Sequence, residues 1–387
     1  MKVFLVAGEM SGDKLGGALM AGLKQLVPEV SFEGIGGPAM QAQGLDSLFA
    51  MDELSVMGIA EVLPRYRHLK RRIAQTAEAV VAARPDVLIT IDSPDFSLRV
   101  AKIVKARSDI RTVHYVAPTV WAWRAGRAGK MAKMIDQVLA LLPFEPPYME
   151  AAGMRCDFVG HPVVADPVAN DAEVLELRET NGLGDAPLLL ALPGSRRGEV
   201  SRLGPVFGQT LANVLKARPD LKVVLPTTAS VAGLVRETVR DWPLEVVVLD
   251  PRDKSPEVAA REKRAAFRAA DVALAASGTV SLELAAAGTP MVIAYDLNWL
   301  TRKIAGMMLK VDTFTLVNLI SGTRVVPELI AENCRPDLIA PAVLDVLENP
   351  GEQAAAMAET MQALGLGGEA PGLRAARAVL DGLGRRA

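Results

Sequence analysis

Cysteine is nearly missing from this 387-residue chain, which has only Cys156 and Cys334. Two thiols build neither a disulfide framework nor a zinc site, and a reducing compartment is the simpler reading. Histidine is almost as scarce. His68, His114 and His161 are too scattered to make a metal constellation. Neither sign of charge dominates: 43 basic against 45 acidic side chains give a formal net charge of -2, which argues against a general nucleic-acid binder. Long apolar runs are absent as well. Met1 to Ala7 meets Gly8-Glu9 too soon for a signal-peptide core. Val272 to Tyr295 is interrupted by Glu283 and broken by Gly288 and Pro290, short of the roughly 18 apolar residues that a membrane span needs. A G-x-G-x-x-G fingerprint is missing from Gly8-Glu9-Met10-Ser11-Gly12-Asp13, so a hydride-transfer cofactor is not expected. What remains is a soluble or peripheral chain, half of it hydrophobic, long enough for two domains.

Short apolar runs alternate with amphipathic stretches along the first half. Strands are expected at Val3 to Ala7, up to Ile35, and at Val87 to Ile91, Thr112 to Val116 and Gln137 to Leu141. Helices are expected from about Lys14 to Leu26 and from near Arg65 to Ala83, with another after Trp123. Continuous apolar strands between helices indicate a parallel sheet covered on both faces, so the chemistry belongs in the loops after the strands. Val163 to Ala172 is Pro-rich and aperiodic, the best linker candidate. The pattern then restarts with strands at Leu188 to Leu192, Lys222 to Leu225, Glu245 to Leu249, Val272 to Ala276 and Met291 to Ala294. The expected architecture is α/β, with two doubly wound domains facing a cleft. They comprise residues 1–165 and 166–387, with the C-terminal helices free to pack back on the first domain.

Three loops stand out. Ala276-Ser277-Gly278-Thr279 joins a buried strand to a helix, where free N–H groups and the helix dipole favour a phosphate, and Glu283 lies one turn on, placed for a sugar hydroxyl. The same residues also read as an ordinary helix start capped by Ser277 or Thr279. Pro193-Gly194-Ser195-Arg196 pairs a backbone cradle with a guanidinium that can clamp a diphosphate, or is an exposed turn with a solvated Arg196-Arg197 pair. Two such turns in one domain suit a nucleotide diphosphate, and neither resembles a Walker loop. Asp92, at the end of its strand in Ile91-Asp92-Ser93-Pro94-Asp95-Phe96, is either a general base or an N-cap.

His114 to Arg124 places Trp121 and Trp123 in one loop, a structural plug or the lining of an acceptor pocket with His114 and Arg124. Val56 to Pro64, including Met57, Ile59, Val62 and Leu63, is apolar and is followed by Arg65, Arg67, Lys70, Arg71 and Arg72. Apolar residues beside a basic face suggest adsorption to an anionic membrane, against the alternative of a core-facing helix with a solvated side. Trp299 to Lys310 repeats the theme.

Taken in order, several motifs resemble one family. They are Gly8-Glu9-x-Ser11-Gly12-Asp13, Gly34-x-Gly36-Gly37, Ile91-Asp92-x-Pro94-Asp95-Phe96, His114-Tyr115-Val116-x-Pro118-x-Val120-Trp121-Ala122-Trp123-Arg124, Leu142-Pro143-Phe144-Glu145, Gly160-His161-Pro162, Leu192-Pro193-Gly194-Ser195-Arg196 and Ala276-Ser277-Gly278-Thr279. The chain is similar to the lipid-A-disaccharide synthases from its N-terminus to about Asn318. It departs from their pattern at Met10, Asp296 and Val317. The resemblance implies a metal-independent, inverting GT-B glycosyltransferase without cofactor, its acceptor domain first and its UDP-sugar domain second. It would join UDP-2,3-diacylglucosamine to 2,3-diacylglucosamine 1-phosphate and release UDP.

By the same resemblance, Asp92 would deprotonate the acceptor's primary hydroxyl and Arg196 would neutralise the leaving diphosphate. Gly194, Ser195, Ser277, Gly278, Thr279, Glu283 and Asn318 would hold the nucleotide, with Ser11 and Asp13 beside the acceptor. The enzyme would sit in the cytoplasm, peripherally on the inner membrane; the amount of apolar helix leaves a homodimer open. Two rivals are a UDP-sugar 2-epimerase on the same scaffold and a non-catalytic lipid-binding protein.

Overall fold

The computed structural model describes residues 1–54, 59–121, 126–296 and 312–384, with side chains of the helix Ile59–Ala83 described from Tyr66 onward. The chain divides into two compact units, Met1–Ala165 together with the chain from Leu364, and Asp166–Ala363.

In the first unit, strands β1 (Lys2–Ala7), β2 (Ser31–Ile35), β3 (Val87–Ile91), β4 (Arg111–Tyr115), β5 (Gln137–Ala140) and β6 (Arg155–Phe158) form a parallel sheet in the order β2-β1-β3-β4-β5-β6. Val3 to Ala7 and Val87 to Ile91 are buried throughout, as strands are when helices cover both faces of a sheet. The helix Met10–Leu26 begins four residues before the expected Lys14, straight out of the Gly8-Glu9 turn, and buries Leu15, Leu19, Met20 and Leu23. The helix Ile59–Ala83 likewise starts before Arg65 and carries Pro64 in its second turn, where a residue without an N–H gives up one i→i−4 bond and the helix continues.

The chain's last helix, Pro371–Gly382, belongs to this unit and lies against Met10–Leu26. Small residues set that distance: a β-carbon on Gly22 would stand 2.7 Å from the Gly372 carbonyl oxygen, and one on Gly372 2.5 Å from that of Ala18. Polar bonds fix the tail to the sheet edge. Gln137 donates to the Ala378 carbonyl (2.8 Å) and Arg374 to that of Phe158 (2.9 Å).

In the second unit, β7 (Leu188–Leu192), β8 (Lys222–Pro226), β9 (Val246–Leu249), β10 (Val272–Ala275), β11 (Met291–Tyr295) and β12 (Glu328–Ile330) form a parallel sheet in the order β12-β11-β10-β7-β8-β9. Read from β9, this is the 3-2-1-4-5-6 order of a dinucleotide-type fold. Leu189, Leu274 and Val292 pack with Leu203, Phe207 and Leu211 of the helix Arg197–Ala217 into one core. Each large aliphatic buried in this way contributes roughly 1.5–3 kcal/mol.

Two strands lack an expected counterpart in the sequence pattern: β6 (Arg-Cys-Asp-Phe) and β12 (Glu-Leu-Ile). Both are edge strands, incompletely buried, so the continuous apolar run that betrays an inner strand is absent from them. Each sheet has one switch point, between β1 and β3 and between β7 and β10, where consecutive connections leave in opposite directions. Ligand sites of open α/β sheets form beyond the strand ends at such points.

Candidate functional site

At the switch point of the second sheet a cavity of about 420 Å³ opens. Gly194, Ser195 and Arg196, after β7, line it with Ser277, Gly278 and Thr279, after β10. Gly278 has φ +146°, which a side chain would strain, and the helix Val280–Ala287 starts directly behind it. Glu283, in the first turn of that helix, is on the wall too. Such a wall, with two strand-to-helix turns and a guanidinium, can receive a nucleoside diphosphate.

Residues with no motif complete the cavity. Thr227 and Thr228 follow β8, and Lys263 and Phe267 come from the helix Pro256–Ala269. Their only signal in the sequence was position, since Thr227 directly follows the strand beside β7. The Thr227 hydroxyl is buried with no hydrogen-bond partner among the described residues. Lys263 pairs with Glu283 and lies 5.2 Å from the Phe267 ring centroid. Glu199 reaches back from the start of Arg197–Ala217 to the Gly194–Arg196 turn, accepting from Ser195 N–H at 3.1 Å. Asn318 lies apart from this lining. It is buried, exchanging bonds with the Val326 backbone (2.9 and 3.0 Å), and Glu328 ties the Thr313–Thr315 loop beside it.

At the switch point of the first sheet, β3 is followed by Asp92 and Ser93, both in the left-handed region with φ +51° and +44°. Two consecutive non-glycine residues in that region store strain of roughly 1–3 kcal/mol each. Bonds hold the turn: Asp92 N–H donates to the Tyr115 carbonyl (3.0 Å), and the Asp92 carbonyl accepts from Ser97 Oγ (2.8 Å). The Asp92 carboxylate itself takes no hydrogen bond from the described residues, and the residue is half-buried. Gly8 makes room for the turn, because a β-carbon there would stand 2.5 Å from Ser93 Oγ. The helix Pro94–Lys105 follows at once.

Ser11 is exposed on the first turn of Met10–Leu26, whereas Asp13, two residues on, is fully buried. The Asp13 carboxylate accepts from Gly37 N–H (2.8 Å), Ala39 N–H (2.8 Å) and Met40 N–H (3.1 Å), so it holds the turn after β2. His114 is buried on β4, its Nδ1 2.8 Å from Thr90 Oγ1 on β3. Trp121 meets Phe144 edge to face, with centroids 5.1 Å apart. Trp123, Arg124 and Met57 lie outside the described residues, as does Trp299 to Lys310. The side chains of Ile59, Val62, Leu63 and Arg65 do too. Arg67 and Arg71 are exposed, while Arg72 pairs with Glu53 and covers the Phe49 ring.

Buried titratable groups in the first unit give it a pH signature. Burial pushes the Glu145 carboxyl up to about 7, opposed by the Leu142 N–H (3.0 Å) and the nearby Trp121 indole N–H. Burial lowers His114, with Arg127 adding to it, and also His161, each to about 4. An unfolded Glu145 ionises near 4.5, so its stabilisation is full below that pH and is lost as pH rises through about 7. The two imidazoles act oppositely: their contribution is present above pH 6.5 and is lost as pH falls through about 4. Denaturant melts of Glu145→Gln should therefore gain about 3 kcal/mol over wild type between pH 4.5 and pH 8, since burial moves the Glu145 carboxyl from near 4.5 to about 7. A constant difference across that range would remove this account.

The two Rossmann-like parallel sheets give the chain a fold of GT-B type. Solved structures agree on the fold: the UDP-GlcNAc 2-epimerase of Neisseria meningitidis bound to UDP-GlcNAc superposes with a TM-score of 0.65 at 13% identity, over 99% of each chain. Anabaena Alr3699/HepE in complex with UDP and glucose gives a TM-score of 0.57 at 11% identity, again over 99% of each chain. Sequence comparison narrows the class. A family model described as lipid-A-disaccharide synthetase matches residues 3–373. The chain is 66% identical over 383 residues to the lipid-A-disaccharide synthase of Ruegeria pomeroyi, covering 99% of this chain and 96% of that one. It is 46% identical to that of Rhodospirillum centenum, over 99% and 95% of the two chains. The chain belongs to the lipid-A-disaccharide synthetase family, and it is a glycosyltransferase of lipid A biosynthesis.

Proposed function

We propose that the chain joins UDP-2,3-diacylglucosamine to 2,3-diacylglucosamine 1-phosphate with inversion, the second unit holding the donor and the first the acceptor. In this reading the acceptor's primary hydroxyl gives its proton to Asp92 while its oxygen bonds to the anomeric carbon. The bond from that carbon to the diphosphate breaks, and UDP leaves. Arg196 and the amides of the Gly194–Arg196 and Ser277–Thr279 turns take up the leaving charge. Glu283, once it exchanges Lys263 for a hydroxyl, holds the ribose. The observation that carries the proposal is the left-handed Asp92-Ser93 turn, a strained corner beyond a strand end whose carboxylate has no hydrogen-bond partner among the described residues.

The test is UDP release and disaccharide phosphate formation from the two diacylglucosamine substrates, in detergent with a chelator present. Turnover that needs both substrates supports the proposal; turnover of donor alone favours the 2-epimerase rival.

The exposed Tyr66, Arg67, Lys70 and Arg71 on the helix Ile59–Ala83 support contact with an anionic membrane surface, on the cytoplasmic face of the inner membrane. No helix among the described residues is long and apolar enough to cross a membrane. Paired Arg67→Glu and Arg71→Glu substitutions should lower co-sedimentation with anionic vesicles by about tenfold or more, at roughly 1 kcal/mol for each basic residue lost. Unchanged sedimentation would exclude this face.

A further inference from the structure

Glu199 lies on the wall of the 420 Å³ cavity and occupies the groups that a diphosphate would need. Its Oε2 accepts from the backbone N–H groups of Ser195 (3.1 Å) and Arg196 (3.3 Å), and its Oε1 from Arg196 Nη1 (3.2 Å). The fit depends on Gly194. That residue has φ +114°, and a β-carbon on it would stand 2.5 Å from Glu199 Oε2, so no other side chain lets the carboxylate fold over the turn. The Glu199 side chain is 14% exposed, against 63% for Arg196. The carboxylate is thus the sheltered partner, with the guanidinium reaching outward.

A carboxylate here presents two anionic oxygens to two backbone amides and a guanidinium, the same acceptor pattern that one phosphoryl group offers. Both cannot use these donors at once, and two like charges in a half-enclosed cavity repel.

We propose that Glu199 is a built-in stand-in for the donor's diphosphate. Before the nucleotide binds, it keeps the Ser195 and Arg196 amides and the Arg196 guanidinium in register. When the nucleotide binds it yields them, and by competing for them it weakens UDP binding and eases product release. This rests on the donor-site reading above. It goes further by assigning Glu199 an affinity-setting role opposite in sign to that of a fixed structural acid. A first-turn acid that merely braces the turn stays in place with ligand bound, and losing it loosens the site.

Glu199→Gln separates the two. The amide keeps the shape and one acceptor oxygen but removes the charge, so the variant is expected to fold. Isothermal titration of the full chain with UDP should show binding tightened by about three- to tenfold, and inorganic pyrophosphate should shift in the same direction. The unliganded melting temperature should fall slightly while the rise caused by saturating UDP grows. If wild type binds UDP and Glu199→Gln binds it equally or more weakly, the proposal is overturned and the donor site stands. If neither protein binds UDP, the donor-site reading falls and takes this proposal with it.

Discussion

Asp92→Asn should bind UDP as wild type does and lose about two to four orders of magnitude in kcat, the usual contribution of a positioned general base. The substitution is well matched to its site. Asparagine tolerates the left-handed backbone better than most residues, so the φ of +51° adds little new strain. The carboxylate has no hydrogen-bond partner among the described residues, so no internal bond is broken. The backbone bonds to Tyr115 and Ser97 that fix the turn do not involve the side chain. UDP titration should be unaffected because the cavity proposed for the nucleotide is built wholly from the second unit. Activity near the wild-type level would dismiss Asp92 as the base.

Arg196→Ala should lower kcat by about a hundred- to a thousandfold, as when one donor to a developing anion is removed. The side chain is 63% exposed and its one side-chain partner among the described residues is Glu199 at 3.2 Å, so an effect on folding stability should stay within about 0.5 kcal/mol. Arg196→Lys should recover only part of the loss, because an ammonium supplies the charge without the planar fork that matches a diphosphate. Full activity of the lysine variant would mean that charge alone suffices. An unchanged alanine variant would place the leaving-group cation elsewhere, and Lys263, on the same wall, is the next candidate.

Inner strands were legible because a strand buried on both faces is apolar at nearly every position, with the rare polar side chain, such as Thr90, finding a partner inside. Val87 to Ile91 and Leu188 to Leu192 are such runs, and their boundaries coincide with β3 and β7. The edge strands β6 and β12 were not, since a half-exposed strand obeys no such rule. The turns after β7 and β10 could be singled out because Gly, Ser and Thr between a strand and a helix, besides capping the helix, leave backbone N–H groups open to an anion. That both turns line one cavity follows from β7 and β10 being neighbours, a fact of sheet order that no local pattern carries.

Asp13 and Asn318 show the limit most clearly. Asp13 sits inside a quoted motif and Asn318 at a position named through the family resemblance, and both are buried polar groups whose bonds the structure alone reveals. Asp13 serves three amides more than twenty residues away in sequence, and Asn318 the Val326 backbone.

The sequence by itself determined the α/β class, the inner strands, the two Gly-containing turns and the family, because each depends on residue type at short range or on motifs read in order. Tertiary structure alone decided which residues complete the cavity, that Glu199 and Lys263 neutralise Arg196 and Glu283 within it, and that the helix Pro371–Gly382 returns to Met10–Leu26. Those outcomes depend on which strands become neighbours and how closely two helices can approach. Distances between atoms far apart in the chain set both, and no local pattern of residues encodes them.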